Sequence, residues 1–201
     1  MTIPDLILER RSIRRFLDRR VPRDALDDLI AAACLAPAPH HSTPWRFVVI
    51  DTAEAKRGLA EAMAARWERD LEGDGTDADT IGELTNASVA RLEAAPALIL
   101  GCTTHVGLDT YPDERRQSAE EGMALLSLGA AVQNLMLAAT DAGLASCWVA
   151  APIFCPDEAR GTLTLADSWT PRALVMIGHP DPTYTPHDRG DLDVEGIRTH
   201  R

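Results

Sequence analysis

The spacing of apolar positions shifts along the chain between a helical period of about 3.6 residues and short runs that are apolar throughout. Residues 3–11 predict a short helix. Pro22 suits a first helical turn, and Ala25, Leu26, Leu29, Ile30, Ala33 and Cys34 then recur at helical spacing up to Ala36. Asp24, Asp27 and Asp28 favour that helix start, and Pro37 and Pro39 end it. WRFVVI (45–50) is a continuous β-prone run and predicts a strand. Residues 53–71 are amphipathic, EGDGTDAD (72–79) is a polar loop, and 80–94 predict a further helix. PALILGC (96–102), ASCWVAA (145–151) and PRALVMIG (171–178) predict three more strands, with 156–165 weakly helical between the last two. After the second strand come the polar connector THVGLDTYPDERRQ and the most apolar stretch, GMALLSLGAAVQNLMLAAT (122–140), closed by Gly143 as a C′ residue. No repeat or linker interrupts this series, so 1–201 reads as one domain. The tail from His179 has little to bury and is either disordered or laid along a partner chain. Strand–helix alternation taken alone predicts a parallel α/β sheet.

The apolar stretch 122–140 is long enough to raise a membrane span. Ser127, Gln133 and Asn134 inside it, and Glu120, Glu121 and Asp141 beside it, favour a soluble helix buried nearly all round. Gly122, Gly129, Ala130 and Ala131 would let another backbone approach, from this chain or a second copy. A hydrophobic share of 45% supports a real core, and a net charge of -11 argues against nucleic acid and anionic membranes as partners. Cys34, Cys102, Cys147 and Cys155 show neither a CxxC pair nor a zinc spacing. They read as reduced thiols of a cytoplasmic protein with no metal site, and Cys147, in an apolar strand, as structural. MTIPDLILERR lacks the basic and apolar regions of a signal peptide.

Against that acidic background, seven arginines fall within residues 10–23: Arg10, Arg11, Arg14, Arg15, Arg19, Arg20 and Arg23. Arg19, Arg20 and Arg23 read as a solvated basic face. Arg10, Arg11 and Arg14 with Ser12 offer guanidinium forks and a hydroxyl at a helix-to-loop junction, a composition suited to a phosphate. Neither a Walker loop nor GxGxxG accompanies them. The stretch APAPHHSTPW (36–45) places His40 and His41 on a connector that Pro37, Pro39 and Pro44 already stiffen. The imidazoles either line a ligand pocket or cap the preceding helix and face solvent. Because prolines restrict the backbone, the fold is expected to lose little when both histidines are replaced. Arg66 and Asp70 end a helix, as a solvated ion pair or as ligand contacts; Tyr111 and Arg115 read as plain loop or as a cover over substrate.

RRSIRRF, PWRFVVI, the apolar helix and GLASCWVA, in that order, resemble the FMN-dependent nitroreductase family over nearly the whole chain. That family tends to show Ser-x-x-Asn-x-Gln-Pro-Trp, where this chain has Ala38, His41 and Thr43 before Pro44 and Trp45. APAPHHS, RWERDL, TYPDERR, GAAVQ, GLASCWVAAPIF and DSWTP are similar to its FbiB-type branch, the flavin reductase domains of coenzyme F420 biosynthesis. The resemblance implies an α+β fold with a mainly antiparallel central sheet flanked by helices, overriding the parallel expectation. It also implies a homodimer with FMN at the subunit interface and the 179–201 tail packed on the partner subunit. Arg10, Arg11, Ser12, Arg14, the backbone of Ile13, Ala38, Pro39, Ala150, Ala151 and Arg189 would contact FMN. His40 would supply a proton, and His41, Arg66 and Asp70 would contact the substrate. The implied reaction is hydride transfer from reduced FMN to the enolpyruvyl-type double bond of dehydro-F420, with coenzyme F420 or that precursor as ligand. The N-terminal glutamate-ligase domain of the two-domain form is not expected here. The alternatives are a general NAD(P)H-dependent nitroreductase or quinone reductase, and a flavin- or deazaflavin-binding protein without turnover.

Overall fold

The computed structural model describes residues 2–190 and 193–201. Strands β1 (Trp45–Ile50), β2 (Ala97–Thr103), β3 (Ala145–Val149) and β4 (Thr170–Gly178) form a sheet in the order β1-β2-β4-β3. Every neighbouring pair is antiparallel. The connections explain this. Between β1 and β2 the chain forms a helical hairpin, α3 (Ala53–Gly73) and α4 (Ala78–Glu93), which returns it to the end it left, so β2 runs back along β1. A single helix, α5 (Glu114–Asp141), joins β2 to β3, which therefore run the same way with β4 inserted between them.

The remaining helices are α1 (Ile3–Glu9), α2 (Arg23–Ala33), α6 (Pro156–Thr162) and α7 (Val194–Ile197). Helices cover both faces of the sheet. Ile99, Val175 and Ile177 pack with Leu26 and Leu29 of α2 and Leu128 and Leu135 of α5. Leu98, Leu100, Leu174 and Met176 pack with Leu59 and Met63 of α3, Leu92 of α4 and Ala159 of α6. Adjacent strand residues thus enter opposite cores, as the period of two requires. A sheet buried on both sides gives uninterrupted apolar runs, the pattern usual for parallel sheets. Periodicity therefore misreads strand direction here, and the α+β architecture is the one observed.

Helix α5 begins at Glu114, well before Gly122, because the Asp113 side chain accepts the Arg116 N–H at 3.0 Å and caps it. Part of the polar connector is therefore its first turns. Its buried face runs through Glu120, Ala124, Ser127, Leu128, Ala131, Val132 and Leu135. It is not buried all round, for Leu126 is 76% exposed. It is long and apolar enough to cross a membrane by length and composition, yet it packs on α2 and the sheet. A Cβ added at Gly122 or Gly129 meets nothing within 4 Å, so neither glycine serves a close approach inside the chain.

The arginine segment is bound to the sheet edge. Ser12 pairs in parallel with Ser146 of β3, and Phe16 pairs with Pro180. The Ile13 N–H donates to Ser146 O at 3.0 Å, and the Leu17 N–H to His179 O at 2.9 Å. At Gly178 a Cβ would lie 2.8 Å from the Phe16 ring and 2.7 Å from Pro96, so only glycine lets this segment close. Within the chain, His179 and Asp181 bond to the N-terminal segment, and Arg189 reaches back to Ile7. Residues 191 and 192 fall outside the described residues.

Candidate functional site

Pairing with β3 gathers Arg10, Arg11, Ser12 and Arg14 around a concavity of about 310 Å³, completed by Pro186, His187 and Arg189. Arg189 is fixed there because it donates to the Ile7 carbonyl at 3.0 Å and also to the Arg10 carbonyl. Arg10 Nε and Arg11 Nη2 are buried with no hydrogen-bond partner among the described residues. Burial lowers the Arg10 pKa, and the nearby charges of Arg189 and Arg11 lower it further. Among the described residues no carboxylate lines the concavity. Buried donors without acceptors, among crowded like charges, fit a multiply charged oxyanion. The phosphate of FMN meets that requirement. The Ile13 N–H is bonded to Ser146 O, which leaves its carbonyl as the backbone group it could turn to a ligand.

A second cavity, of about 540 Å³, lies between α3, α4 and the 151–155 segment after β3. Its walls include Met63, Ala64, Trp67, Leu84, Ala87, Ala151 and Phe154, with Arg66, Asp70, Ser88 and Arg91 as its polar groups. Arg66 Nε donates to Asp70 at 3.0 Å, an i,i+4 pair. Ala151 is here; Ala150 precedes it and accepts the Ile153 N–H at 3.1 Å, opening a short 3-10 turn. Cys155 Sγ donates to Ala151 O at 3.3 Å, and burial pushes its thiol up to about 11. Burial likewise raises the Cys147 thiol, against opposing charge from Arg14, Arg91 and Arg10. Both are protonated structural thiols at neutral pH. The first concavity adjoins β3 through the Ser12–Ser146 pairing, and the second lies against the segment that follows β3.

The histidine connector goes elsewhere. His40 and His41 adopt φ of 55° and 53°, the left-handed region, on a short 3-10 turn whose Ser42 hydroxyl and N–H bond back to Pro39 O. His40 Nε2 lies 3.0 Å from Glu120 Oε1, and Asp109 Oδ2 is 4.0 Å away. Glu120 is 1% exposed and its Oε1 also accepts the Asp109 N–H at 3.2 Å. His41 is exposed. Ala38 and Pro39 border a third, apolar concavity of about 320 Å³ against Met123, Leu126 and Ser127 of α5. Neither histidine lines any of the three concavities, so one chain alone does not bring them to the arginines. Tyr111 is tied down locally, with Arg116 4.9 Å from its ring centroid and its N–H donated to Gln117. Among the described residues no group of three or more His, Cys, Asp and Glu side chains is placed to hold a metal ion.

The sequence profile of the Nitroreductase family matches residues 7–179. The chain belongs to that family. It is thus an oxidoreductase in family terms. Among curated proteins it is 27% identical over 177 residues to YfhC of Bacillus subtilis (strain 168), whose name places it with NAD(P)H nitroreductases; the match covers 88% of this chain and 84% of YfhC. An Archaeoglobus fulgidus protein named for NADH dehydrogenase/NAD(P)H nitroreductase is 26% identical over 98% of this chain and 95% of its own length. In fold, the crystal structure of a BluB-like flavoprotein from Clostridium difficile 630 superposes with a TM-score of 0.81 at 23% identity, covering 100% of this chain and 99% of that one. An FMN-dependent nitroreductase from Clostridium difficile R20291 gives 0.69 at 20% identity, covering 99% of each chain.

Within this nitroreductase-family chain, sequence reasoning missed Glu120, Arg91, Trp67 and His187. Glu120 was within reach: with α5 started at Asp113, positions 120, 124, 127, 128 and 131 form one helical stripe. The other three owe their positions to the α3–α4 hairpin and the tail, and no local pattern marks them.

Proposed function

We propose that this protein binds FMN with its phosphate in the arginine cradle and reduces a small-molecule acceptor held in the α3–α4 cavity. The observation that carries the reading is the pair of buried, unpartnered guanidinium N–H groups of Arg10 and Arg11, converging with Arg14 and Arg189 on one concavity. Bound FMN supplies two-electron, hydride-donating chemistry. The chain's own residues do the rest. Arg10, Arg11, Arg14 and Arg189 bind and orient the phosphate, with the Ser12 hydroxyl as an additional donor. Ala151, which lines the cavity, and Ala150 before it have small side chains that would leave their backbone accessible to the flavin. Met63, Trp67 and Leu84 shield the acceptor from water, which strengthens every polar contact made to it.

His40 is the proposed proton source, oriented by Glu120, and a second copy is needed to bring it to the site. Exposed Leu8, Leu35 and Leu126, on α1, after α2 and on α5, are the apolar surface that such a homodimer would cover. Ala38, Pro39 and His41 would approach FMN or substrate from that partner. NAD(P)H is the proposed reductant, in keeping with the names of the curated relatives.

A narrower reading is reduction of the enolpyruvyl-type double bond of dehydro-F420. One observation favours it: Arg66 and Asp70, which the resemblance assigns to the deazaflavin, both line the cavity. Titration of flavin-free protein with FMN, followed by anaerobic NADPH reduction and addition of 4-nitrobenzamide or dehydro-F420, tests both readings. FMN binding and flavin reoxidation by either acceptor are expected. Failure to bind FMN removes the proposal, and reoxidation by the nitro compound alone removes the narrower reading.

A further inference from the structure

We propose that Arg91 makes the α3–α4 cavity selective for flat, conjugated acceptors that carry a carboxylate or phosphate. This deepens the acceptor site proposed above and rests on it. Arg91 stands in the last turn of α4 and lines the cavity with Trp67, Ser88 and Phe154. The other charges on that side are already matched. Arg66 pairs with Asp70 at 3.0 Å and faces Glu158 of α6 at 3.9 Å, and Arg69 reaches the same Glu158 oxygen at 3.1 Å. Among the described residues Arg91 has no hydrogen-bond or ion-pair partner. The cavity wall therefore carries one uncompensated positive charge in a chain of net charge -11. An exposed arginine at a helix C-terminus also complements the helix dipole, a structural role with no ligand. Two aromatic side chains beside it argue for more. Trp67 is 38% and Phe154 75% exposed, leaving flat apolar surface uncovered next to the free guanidinium. A planar ring would cover those faces while its anionic substituent met Arg91 in a charge-assisted bond.

The test compares 4-nitrobenzoate with its neutral isostere 4-nitrobenzamide by calorimetric titration, in FMN-loaded and flavin-free protein, and by KM in the loaded protein. Wild type is expected to bind the benzoate roughly tenfold or more tighter than the amide. Arg91→Gln should remove roughly ten- to hundredfold of the benzoate affinity, leave the amide within about twofold, and keep FMN content and melting temperature unchanged. Arg91→Lys should retain part of the preference, since the charge remains but the fork is lost. Equal binding of the two ligands by wild type would overturn the inference. So would an Arg91→Gln protein with an unchanged ratio, or one that weakens both ligands alike. Loss of FMN with the ratio intact would assign Arg91 to the flavin instead and equally overturn it. Titration without flavin reads Arg91 separately from the cradle, so a protein that fails to bind FMN yet discriminates the two ligands would remove only the proposed function.

Discussion

The arginine cradle and the His40–Glu120 pair both place charged groups in buried surroundings, and they do so in opposite ways. In the cradle, Arg10 Nε and Arg11 Nη2 have no acceptor among the described residues, and like charges crowd one another enough to lower the Arg10 pKa. At the histidine connector, an almost fully buried carboxylate is met by an imidazole and a backbone N–H, and its charge is satisfied within the chain. Unmet charge is a site prepared for something else, whereas met charge also holds the fold, whatever further role the pair has. The same substitution to alanine should therefore cost ligand affinity in one region and stability in the other.

The largest effect is expected in the cradle. Arg14→Ala should weaken FMN binding by roughly ten- to hundredfold, as loss of one charge-assisted phosphate contact does. Ser12→Ala should weaken it less, and in Arg14→Ala the melting temperature of the flavin-free protein should hold or rise, because one of four clustered positive charges is removed. Fluorescence titration and thermal unfolding read the two quantities separately.

At the connector the order reverses. His40→Ala leaves the buried Glu120 carboxylate without its imidazole and should destabilise the protein by about 1–3 kcal/mol. In a chain of this length that lowers the melting temperature by about 2–4 °C per kcal/mol. The double variant His40→Ala with Glu120→Ala should lose less than the two single losses added, since the orphaned charge is gone. Unchanged melting in His40→Ala would return the histidines to a role in the ligand alone and erase the contrast. The stiffening prolines argue that the fold barely needs His40, and its buried partner Glu120 argues the opposite, so the melting comparison decides between them.

The His40–Glu120 pairing shows where sequence was legible. Local, chemically distinctive runs read well: WRFVVI gave β1 to the residue, and Arg10, Arg11, Ser12 and Arg14, singled out as a group, line one concavity that Arg189 joins from the far end of the chain. The quality that failed was direction and partnership across the fold. Apolar strands buried on both faces carry no mark of antiparallel pairing, and the helical hairpin that reverses β2 is seen only when connections are counted. Glu120 and Arg91 sit on helices among ordinary charged residues. One is buried and paired, the other exposed and unpaired, and only packing distinguishes them.

Smaller effects sharpen the contrast on the surface. Gly129→Leu should leave the isolated chain folded, because nothing lies within 4 Å of its Cβ position, and should act only on assembly, as sedimentation would show. Asp51 hydrogen-bonds Arg23 at 3.1 Å and faces Arg20 at 3.4 Å. The Arg23 hydrogen bond is the main influence holding the Asp51 carboxyl below the usual range. Its folded pKa is depressed, so its contribution is present above the unfolded value of about 4 and is lost as pH falls through the lower folded value. With both arginines exposed, the gain should stay under about 1 kcal/mol. Asp51→Asn should remove that part of the acid dependence of the urea midpoint, and an unaltered pH profile would show that this surface pair contributes nothing.

The central claim is that the cradle recognises a phosphate, and a comparison of FMN with riboflavin, the same ring and chain without the phosphate, tests it most directly. Affinities for both should be measured in wild type and in Arg11→Ala, whose Nη2 is one of the unpartnered buried donors. FMN is expected to bind wild type about a hundredfold or more tighter than riboflavin, given several charge-assisted contacts, and Arg11→Ala should narrow that ratio by roughly tenfold or more through FMN alone. Equal affinities in wild type, or a ratio unmoved by Arg11→Ala, would contradict the account.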